Sequence, residues 1–190
     1  ASKLGKSTDK CKLAAAMLLT AAGSPYIYYG EELGLYGTKN NGDEYVRAPM
    51  LWGDNYVTSY TNKIDKSMMN SIKNVDKQKE DTNSLLNTYL TFTQLRNTYP
   101  ALAKGKMEKH PTYNESKEKD YVSIAAWYMV QGDEKLLVLH NLKGSTVELP
   151  MTDKLEKTIA VSGSIQQKDE SGNIRVSDLL ADDIQKAVDL

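Results

Sequence analysis

The residues best suited to contact a ligand lie in a tyrosine-rich stretch in the first third of the chain. Seven of the twelve tyrosines fall between Tyr26 and Tyr60, and the same stretch holds Glu31, Glu32 and one arginine, Arg47. A tyrosine ring has an apolar face and a polar tip, which suits a sugar ring with apolar CH faces and a rim of hydroxyl groups. The stretch therefore predicts a sugar-binding loop, although the same tyrosines would also suit a hydrated loop that binds nothing.

Two elements before this stretch would position it. Apolar residues recur at helical spacing from Lys10 to Ala22, after cap candidates at 7–9 and before a stop at Gly23, which predicts a helix with a wide buried face. Residues 24–30 then form a short aromatic run without polar alternation, typical of a strand covered on both faces. A helix joined this closely to a buried strand indicates a parallel α/β fold, and active sites of α/β barrels lie at the C-terminal ends of such strands.

The rest of the chain divides into a long loop, a second helix and a region of antiparallel strands. Residues 31–80 show no regular pattern, and residues 81–98 predict a capped helix that ends before Pro100. The hydrophobic period then changes to two, so we place a domain boundary between 100 and 105. Beyond it the pattern predicts a hairpin of strands at 121–130 and 135–142. It also predicts short strands at 146–149, 158–161 and 174–176, and a last helix or helical turn at 176–190.

Composition and charge exclude several classes of function. The chain has 24 basic and 25 acidic residues, a net charge of −1 and no basic stripe, so we expect no nucleic acid partner. Its longest apolar stretch, 13–22, is too short to cross a bilayer, so we expect no membrane insertion. His110 and His140 have no cysteine or second histidine at ligand spacing, and neither indicates a metal site or a catalytic triad.

The sequence from Gly23 to Trp52 resembles the end of the catalytic barrel in the α-amylase family of glycoside hydrolases, family 13. The resemblance is carried by the run GSPYIYYGEELGL at 23–35 and by DEYVRAPMLW at 43–52. Residues 83–102 resemble the eighth barrel helix and the passage into the C-terminal domain, and residues 107–150 resemble the first strands of that domain. The similarity covers a strand, a loop and a helix in the order that the family has them.

The resemblance implies an α+β chain: the last α-β-α segment of a (β/α)8 TIM barrel followed by an antiparallel β-sandwich C-terminal domain. Residues 1–102 would hold helix 7, strand 8, the long loop and helix 8, and residues 103–190 most of the β-sandwich domain. The chain would thus begin just after the seventh barrel strand.

The resemblance also implies retaining cleavage of α-glucosidic bonds in starch or maltooligosaccharides. One carboxylate attacks the sugar carbon, a protonated carboxylic acid assists the leaving oxygen, and a third carboxylate binds sugar hydroxyls. In this family the three lie on strands four, five and seven, so we expect no catalytic residue in this chain and no hydrolysis by it alone. Glu31 and Glu32 are not this pair, because adjacent residues at a strand exit point in different directions. Their expected role is packing and hydrogen bonding.

Five residues match family positions at which substrate contacts are expected: Arg47, Asp43, Tyr28, Tyr29 and Trp52. Arg47 matches the arginine that, in oligosaccharide-cleaving members, lies near the innermost sugar and pairs with a carboxylate. Its alternative role is a purely structural clamp on the loop. Tyr28 and Tyr29 would otherwise be core residues, and Trp52 would otherwise pack over the top of the barrel.

The expected partners are an α-glucan or maltooligosaccharide substrate and the rest of the catalytic barrel. We expect no cofactor in this chain; calcium is expected only in the parent protein, mainly through a domain inserted after the third strand, and residues 40–44 lack the calcium-loop pattern. A noncatalytic glucan-binding module and a family transglycosylase stay open as alternatives. Because starch is too large to enter a cell, an extracellular or cell-surface location in a bacterium is favoured over the cytoplasm.

Overall fold

The computed structural model describes residues 1–54, 66–113, 121–150, 165–167 and 173–176. The chain divides into two units: unit 1 comprises Ala1–Ala16 and Pro25–Thr91, and unit 2 comprises Met17–Ser24 and Phe92–Leu190. The helices are α1 Thr8–Thr20, α2 Lys66–Ser71, α3 Val75–Glu80, α4 Leu85–Thr98 and α5 Pro100–Lys104. The strands are β1 Lys106–Lys109, β2 Ile124–Gln131, β3 Glu134–Asn141, β4 Val147–Pro150, β5 Ile165–Gln167 and β6 Asn173–Val176.

Helix α1 forms where the helical spacing predicts it. Ser7 caps its first turn, because the Ser7 Oγ accepts a hydrogen bond from the Lys10 N–H at 3.4 Å. At the other end Gly23 has a φ of 103°, a backbone conformation that suits glycine and stops the helical path. The buried face is narrower than the wide face predicted: Cys11, Ala15, Ala16 and Leu19 are buried, whereas Leu18 is 37% exposed.

The predicted buried strand at 24–30 is not formed. Residues 24–28 belong to no helix or strand, and their side chains face solvent, with Tyr26 79% and Ile27 41% exposed. A strand covered on both faces needs hydrogen-bonded neighbours at both edges and a layer on each side. The strands that the structure describes pair with one another and give this segment no neighbour. The prediction was therefore wrong for the chain by itself, because strand propensity cannot replace a missing partner strand.

The described residues between 31 and 80 are more regular than predicted. Three 3-10 turns cover Glu31–Leu33, Lys39–Asn41 and Asp43–Val46, and α2 and α3 follow. Helix α3 is capped by Asn74, whose Oδ1 accepts a hydrogen bond from the Lys77 N–H at 3.0 Å. A small core in this part of unit 1 consists of Ala48 and Met68, with Leu35, Tyr36, Met69 and Ile72 packed against them.

Helix α4 begins at its predicted cap. The Ser84 Oγ accepts a hydrogen bond from the Asn87 N–H at 3.0 Å, and the helix ends at Thr98. Pro100 then begins the short helix α5, which the sequence pattern did not predict. Proline suits this position because the first residues of a helix need no N–H donor.

Unit 2 contains two antiparallel three-stranded sheets, ordered β1-β2-β3 and β4-β6-β5. The predicted hairpin is confirmed: Gln131 pairs with Glu134 across the β2–β3 turn, where Gly132 has a φ of 59°. One core cluster of the unit holds Ala101, Leu102 and Met129. Another joins β2 to β4 and holds Tyr113, Ile124, Ala126, Val147 and Leu149. The chain is thus an α+β chain with antiparallel sheets, as expected at this level of description.

Two predictions of secondary structure lie outside the described residues: the strand at 158–161 and the terminal helix over 176–190. The predicted strand at 174–176 corresponds to β6. Among the described helices, none combines the length and the hydropathy that a bilayer span requires.

Candidate functional site

A tight turn from Tyr28 to Leu35 carries the first candidate residues. The Glu31 N–H donates to the Tyr28 carbonyl at 3.2 Å, and the Leu35 N–H donates to the Gly30 carbonyl at 2.9 Å. Gly30 has a φ of 81°, and a Cβ at this position would lie 2.4 Å from the Leu35 Cδ1. Glycine is therefore required both for the backbone conformation and for the close approach of Leu35. The turn is fixed directly after the two tyrosines.

Tyr28 and Tyr29 form an exposed aromatic pair. Their ring centroids lie 4.9 Å apart at an interplanar angle of 40°, and the residues are 47% and 46% exposed. Two adjacent rings with free faces and hydroxyl groups have the chemistry to bind the apolar face and the rim of a sugar.

Arg47 lies close to this pair. Burial raises the pKa of Tyr29, the neighbouring Tyr28 raises it further, and the positive charge of Arg47 opposes the shift. The Arg47 Nη2 donates to the Asp43 Oδ2 at 3.3 Å, and the arginine side chain stays 62% exposed. Most of the guanidinium is therefore free to donate hydrogen bonds to a ligand.

Asp43 is shared between two cations. The Lys39 Nζ lies 3.0 Å from the Asp43 Oδ1, so each carboxylate oxygen has its own cationic partner. The hydrogen bond and charge of Lys39, with a smaller contribution from the charge of Arg47, lower the pKa of Asp43. All three groups are exposed, so the ion pairs contribute little to stability. Asp43 thus contacts Lys39 through one carboxylate oxygen and orients Arg47 through the other.

Trp52 is 53% exposed, and its segment is held by α3. The Val75 N–H donates to the Leu51 carbonyl at 2.8 Å, and Asp54 accepts hydrogen bonds from Asn74 and from Lys77, both at 2.7 Å. Among the described residues no ring contact joins Trp52 to the tyrosine pair. The structure therefore brings together Tyr28, Tyr29, Arg47 and Asp43, and leaves Trp52 on a separately anchored segment.

Glu31 and Glu32 are in different surroundings, although they are adjacent. The Glu31 Oε1 accepts a hydrogen bond from the Tyr89 hydroxyl at 3.0 Å. The Glu32 Oε2 is shielded from solvent and has no hydrogen-bond partner among the described residues. The two carboxylates thus differ in their hydrogen-bond partners.

Gln78 is a structural residue of unit 1 whose role the sequence did not indicate. This buried side chain donates from Nε2 to the carbonyls of Leu33 at 3.0 Å and Lys73 at 2.9 Å, and its Oε1 accepts from the Leu86 N–H at 3.2 Å. It therefore joins the turn after Gly30 to α3 and α4. Nothing in its local sequence predicts the bond to Leu33, 45 positions away along the chain.

Arg96 is a second structural residue whose role the sequence did not indicate. In unit 2 its guanidinium donates to the Leu19 and Ala21 carbonyls, both at 2.9 Å, and to the Gly23 carbonyl. The cation therefore binds one carbonyl in the last turn of α1 and two directly after it, where it supplies a donor for unpaired carbonyls and opposes the negative end of the helix dipole.

The two histidines have structural surroundings. The His140 Nε2 lies 3.0 Å from the Thr20 Oγ1, and burial lowers the pKa of His140 to about 4. The His110 ring is buried and stacks on Tyr113 with a centroid distance of 4.2 Å. Each ring is held within unit 2 by contacts that need no ligand.

The described residues do not fit a calcium ion. They contain no group of three or more His, Cys, Asp or Glu side chains that could hold a metal. At residues 40–44 the Asp43 carboxylate is already bound to two cations, which is the opposite of a free cation site.

The two family models that match this chain, and two of its relatives, are described as alpha-amylases or parts of them. The family model "Alpha amylase, catalytic domain" matches residues 1–105, and the model "Alpha-amylase SusG C-terminal domain" matches residues 124–177. Alpha-amylase SusG of Bacteroides thetaiotaomicron is 65% identical over 170 residues, which cover 90% of this chain and 25% of that protein. Alpha-amylase 3 of Dictyoglomus thermophilum is 34% identical over 168 residues, which cover 87% of this chain and 30% of that protein.

A solved structure shows the same fold. The alpha-amylase from H. orenii superposes with a TM-score of 0.72 and 22% sequence identity, over 95% of this chain and 35% of that one. The chain thus spans between a quarter and a third of the length of the curated relatives described above.

Proposed function

Because the chain belongs to the family of α-amylase catalytic domains, we propose that it supplies the C-terminal part of a retaining glycoside hydrolase. The substrate class is starch or maltooligosaccharides, and the bonds cleaved are α-glucosidic. The observation that carries this proposal is the order of the two family matches along the chain: the catalytic domain over 1–105, then the SusG C-terminal domain over 124–177.

The proposal divides the chain at residue 102. Residues 1–102 supply the last quarter of a (β/α)8 barrel, in which α1 is helix 7, residues 24–30 are strand 8 and α4 is helix 8. The exposed side chains of Tyr26 and Ile27 support this assignment. These residues are apolar, and in a barrel the neighbouring strands and helices would cover them. Residues 103–190 supply an antiparallel β-sandwich domain, supported by the core cluster that joins β2 to β4.

Within that enzyme, this chain binds substrate and does not carry the bond-breaking groups. The nucleophile, the general acid and the third carboxylate of the family's mechanism lie outside these 190 residues. Tyr28 and Tyr29 end strand 8 and lead into the turn at Gly30, where they supply the aromatic contact to a glucose unit, and Arg47 donates to its hydroxyls. Asp43 acts through Arg47 by holding its guanidinium. Trp52, exposed on its own segment, contacts a more distant part of the glucan.

A chimeric enzyme tests this proposal. The segment of SusG that matches this chain is replaced by the chain, and hydrolysis of maltoheptaose is followed by reducing-sugar release. We expect kcat and KM within about tenfold of the SusG values, since the two sequences are 65% identical over this segment. Chromatography of the products separates hydrolysis from transglycosylation, the alternative reaction within the family.

Two variants of the chimera separate substrate binding from general surface charge. Arg47→Ala should raise KM roughly tenfold, the effect of losing hydrogen bonds from a charged donor to the sugar. Lys73→Ala is the matched control, because Lys73 is also an ion-paired cation and its side chain is 61% exposed, compared with 62% for Arg47. An unchanged KM in Arg47→Ala would assign Arg47 to a purely structural clamp on the loop.

A noncatalytic glucan-binding module is the second candidate function. It is favoured by the exposed aromatic residues Tyr26, Tyr28, Tyr29 and Trp52, since exposed rings are the usual contacts for sugars. Titration calorimetry of the isolated chain with maltoheptaose separates the candidates. Measurable heat of binding favours the module, and its absence favours part of an enzyme.

We further propose that the partner of this chain is the rest of the catalytic barrel and that the enzyme works outside the cell or at the surface of a bacterium. The support is chemical: starch is a polymer that cannot enter a cell intact. Calcium, if the enzyme holds it, is bound by residues outside this chain. Fractionation of the source bacterium, followed by immunodetection of the enzyme, tests its location.

A further inference from the structure

We propose that Tyr89 is a positioning residue for substrate binding: its hydrogen bond to Glu31 fixes the turn that carries Tyr28 and Tyr29. This inference rests on the proposed function, because it takes the Tyr28–Tyr29 pair as a surface for the sugar. It adds a residue of α4 that touches no substrate and still sets the affinity for it.

The first observation is a long-range hydrogen bond within unit 1. Tyr89 is buried on α4, and its hydroxyl donates to the Glu31 Oε1 at 3.0 Å across 58 positions of the sequence. Burial and the negative charge of Glu31 raise the pKa of Tyr89. The hydroxyl therefore keeps its proton and stays a donor throughout the physiological pH range.

The second observation is that Glu31 is joined to the tyrosine pair by the backbone. Its N–H donates to the Tyr28 carbonyl at 3.2 Å, and its carbonyl accepts from the Gly34 N–H at 3.0 Å. The carboxylate that Tyr89 holds therefore belongs to the residue that closes the turn directly after the pair. Without the donor, a half-buried carboxylate oxygen would lose its partner and the turn would move to rehydrate it.

A separate contact limits how far that movement can go. Gln78 Nε2 donates to the Leu33 carbonyl at 3.0 Å. This bond fixes the end of the turn away from the tyrosines, and it does not depend on the Tyr89–Glu31 bond. Loss of the Tyr89–Glu31 bond should therefore displace the side that carries the tyrosines and leave unit 1 folded. Since no bond-breaking group is placed in this chain, the displacement should weaken substrate binding without slowing the chemical step.

The test uses the chimeric enzyme with maltoheptaose. Tyr89→Phe removes only the hydroxyl and should raise KM roughly threefold to tenfold while kcat stays within about twofold. Glu31→Ala should do the same, and Glu31→Gln, which keeps an accepting oxygen, should restore a KM close to the unmodified value. The double variant Tyr89→Phe with Glu31→Ala should be no worse than either single variant, because both remove one interaction.

Tyr113→Phe is the matched control. Tyr113 is also a buried tyrosine, its hydroxyl donates to the Pro150 carbonyl in unit 2, and its loss should lower the melting temperature without changing KM. If Tyr89→Phe changes only the melting temperature, as the control does, Tyr89 is merely structural and the inference is overturned. Tyr28→Ala distinguishes failure of this inference from failure of the proposed substrate surface. A raised KM in Tyr28→Ala with an unchanged KM in Tyr89→Phe overturns this inference alone. An unchanged KM in Tyr28→Ala overturns the proposed substrate surface as well.

Discussion

Acid should destabilise unit 2 through His140, and the size of the effect follows from the surroundings of this residue. The ring is buried, its Nε2 lies 3.0 Å from the Thr20 Oγ1, and the Trp127 ring lies at a centroid distance of 5.1 Å. Burial disfavours the charged imidazolium and lowers the pKa of His140 from 6.5 to about 4. The folded chain therefore keeps this histidine neutral at a pH where the unfolded chain protonates it.

The sign and size follow from proton linkage. As the pH falls from 6.5 towards 4, the unfolded state binds a proton at His140 that the folded state does not bind. The free energy of unfolding should therefore fall with decreasing pH, by up to roughly 1.4 kcal/mol per pH unit and by about 3 kcal/mol in all. Above pH 6.5 the stabilisation by the neutral ring is fully present, and below pH 4 no further loss comes from this group.

Urea unfolding of the chain at pH values from 7 to 4, followed by tryptophan fluorescence, measures this dependence. His140→Gln removes the titrating group and keeps a polar partner for Thr20. Between pH 7 and pH 4 the free energy of unfolding of this variant should therefore fall by about 3 kcal/mol less than that of the unmodified chain. Thr20→Val keeps the histidine without its partner and should retain the steep dependence. The lowered pKa values of Asp43, Asp54 and Asp81 add a loss in acid that all three proteins share. Parallel curves for the unmodified chain and His140→Gln would refute the reasoning.

Three further predictions concern stability and activity. Arg96→Met should lower the free energy of unfolding by roughly 3 kcal/mol, since one carbonyl in the last turn of α1 and two directly after it lose a charged donor; Arg96→Lys should recover part of this stability in the same urea assay. Gly30→Ala should lower the free energy of unfolding by roughly 2 to 4 kcal/mol, because the added Cβ would lie 2.4 Å from the Leu35 Cδ1. Gly132→Ala, where the φ is also positive but no atom lies within 4 Å, should cost only about 1 kcal/mol. The isolated chain should release no reducing sugar from starch or maltoheptaose above a mock preparation, and a rate that persists after further purification would show that catalytic groups are present in it.

Local patterns predicted the elements whose stabilising contacts are local. Helix α1 has its cap at Ser7, helix α4 has its cap at Ser84, and the β2–β3 hairpin turns at Gly132. In each case the residue that begins, ends or turns the element lies within a few positions of it. Capping and turn chemistry can therefore be read directly from the sequence.

Elements and contacts that depend on distant partners could not be predicted in this way. The 24–30 segment has the composition of a strand, but a strand requires a neighbour that the described part of the chain does not offer. Gln78, Tyr89 and Arg96 bond to groups 45, 58 and 77 positions away, respectively. Their side chains look ordinary within their helices, and only the folded chain shows which carbonyl or carboxylate each one holds.

The candidate site was only partly accessible from sequence. The tyrosine-rich run indicated the sugar chemistry, and the family resemblance pointed to Arg47 and Asp43. The structure adds that one carboxylate oxygen of Asp43 is paired with Lys39 and the other with Arg47. Asp43 is therefore a residue that orients Arg47. That distinction depends on distances between side chains, and sequence spacing alone does not supply them.

The most direct test of the central claim is the initial rate of maltoheptaose hydrolysis by the chimera in which this chain replaces its matching segment of SusG. If the chain supplies the last part of an α-amylase barrel, the chimera should hydrolyse maltoheptaose with kcat/KM within about tenfold of SusG. SusG lacking the matching segment should be inactive under the same conditions. A chimera that is folded by circular dichroism and binds maltoheptaose, but hydrolyses it no faster than the truncated protein, would contradict the account.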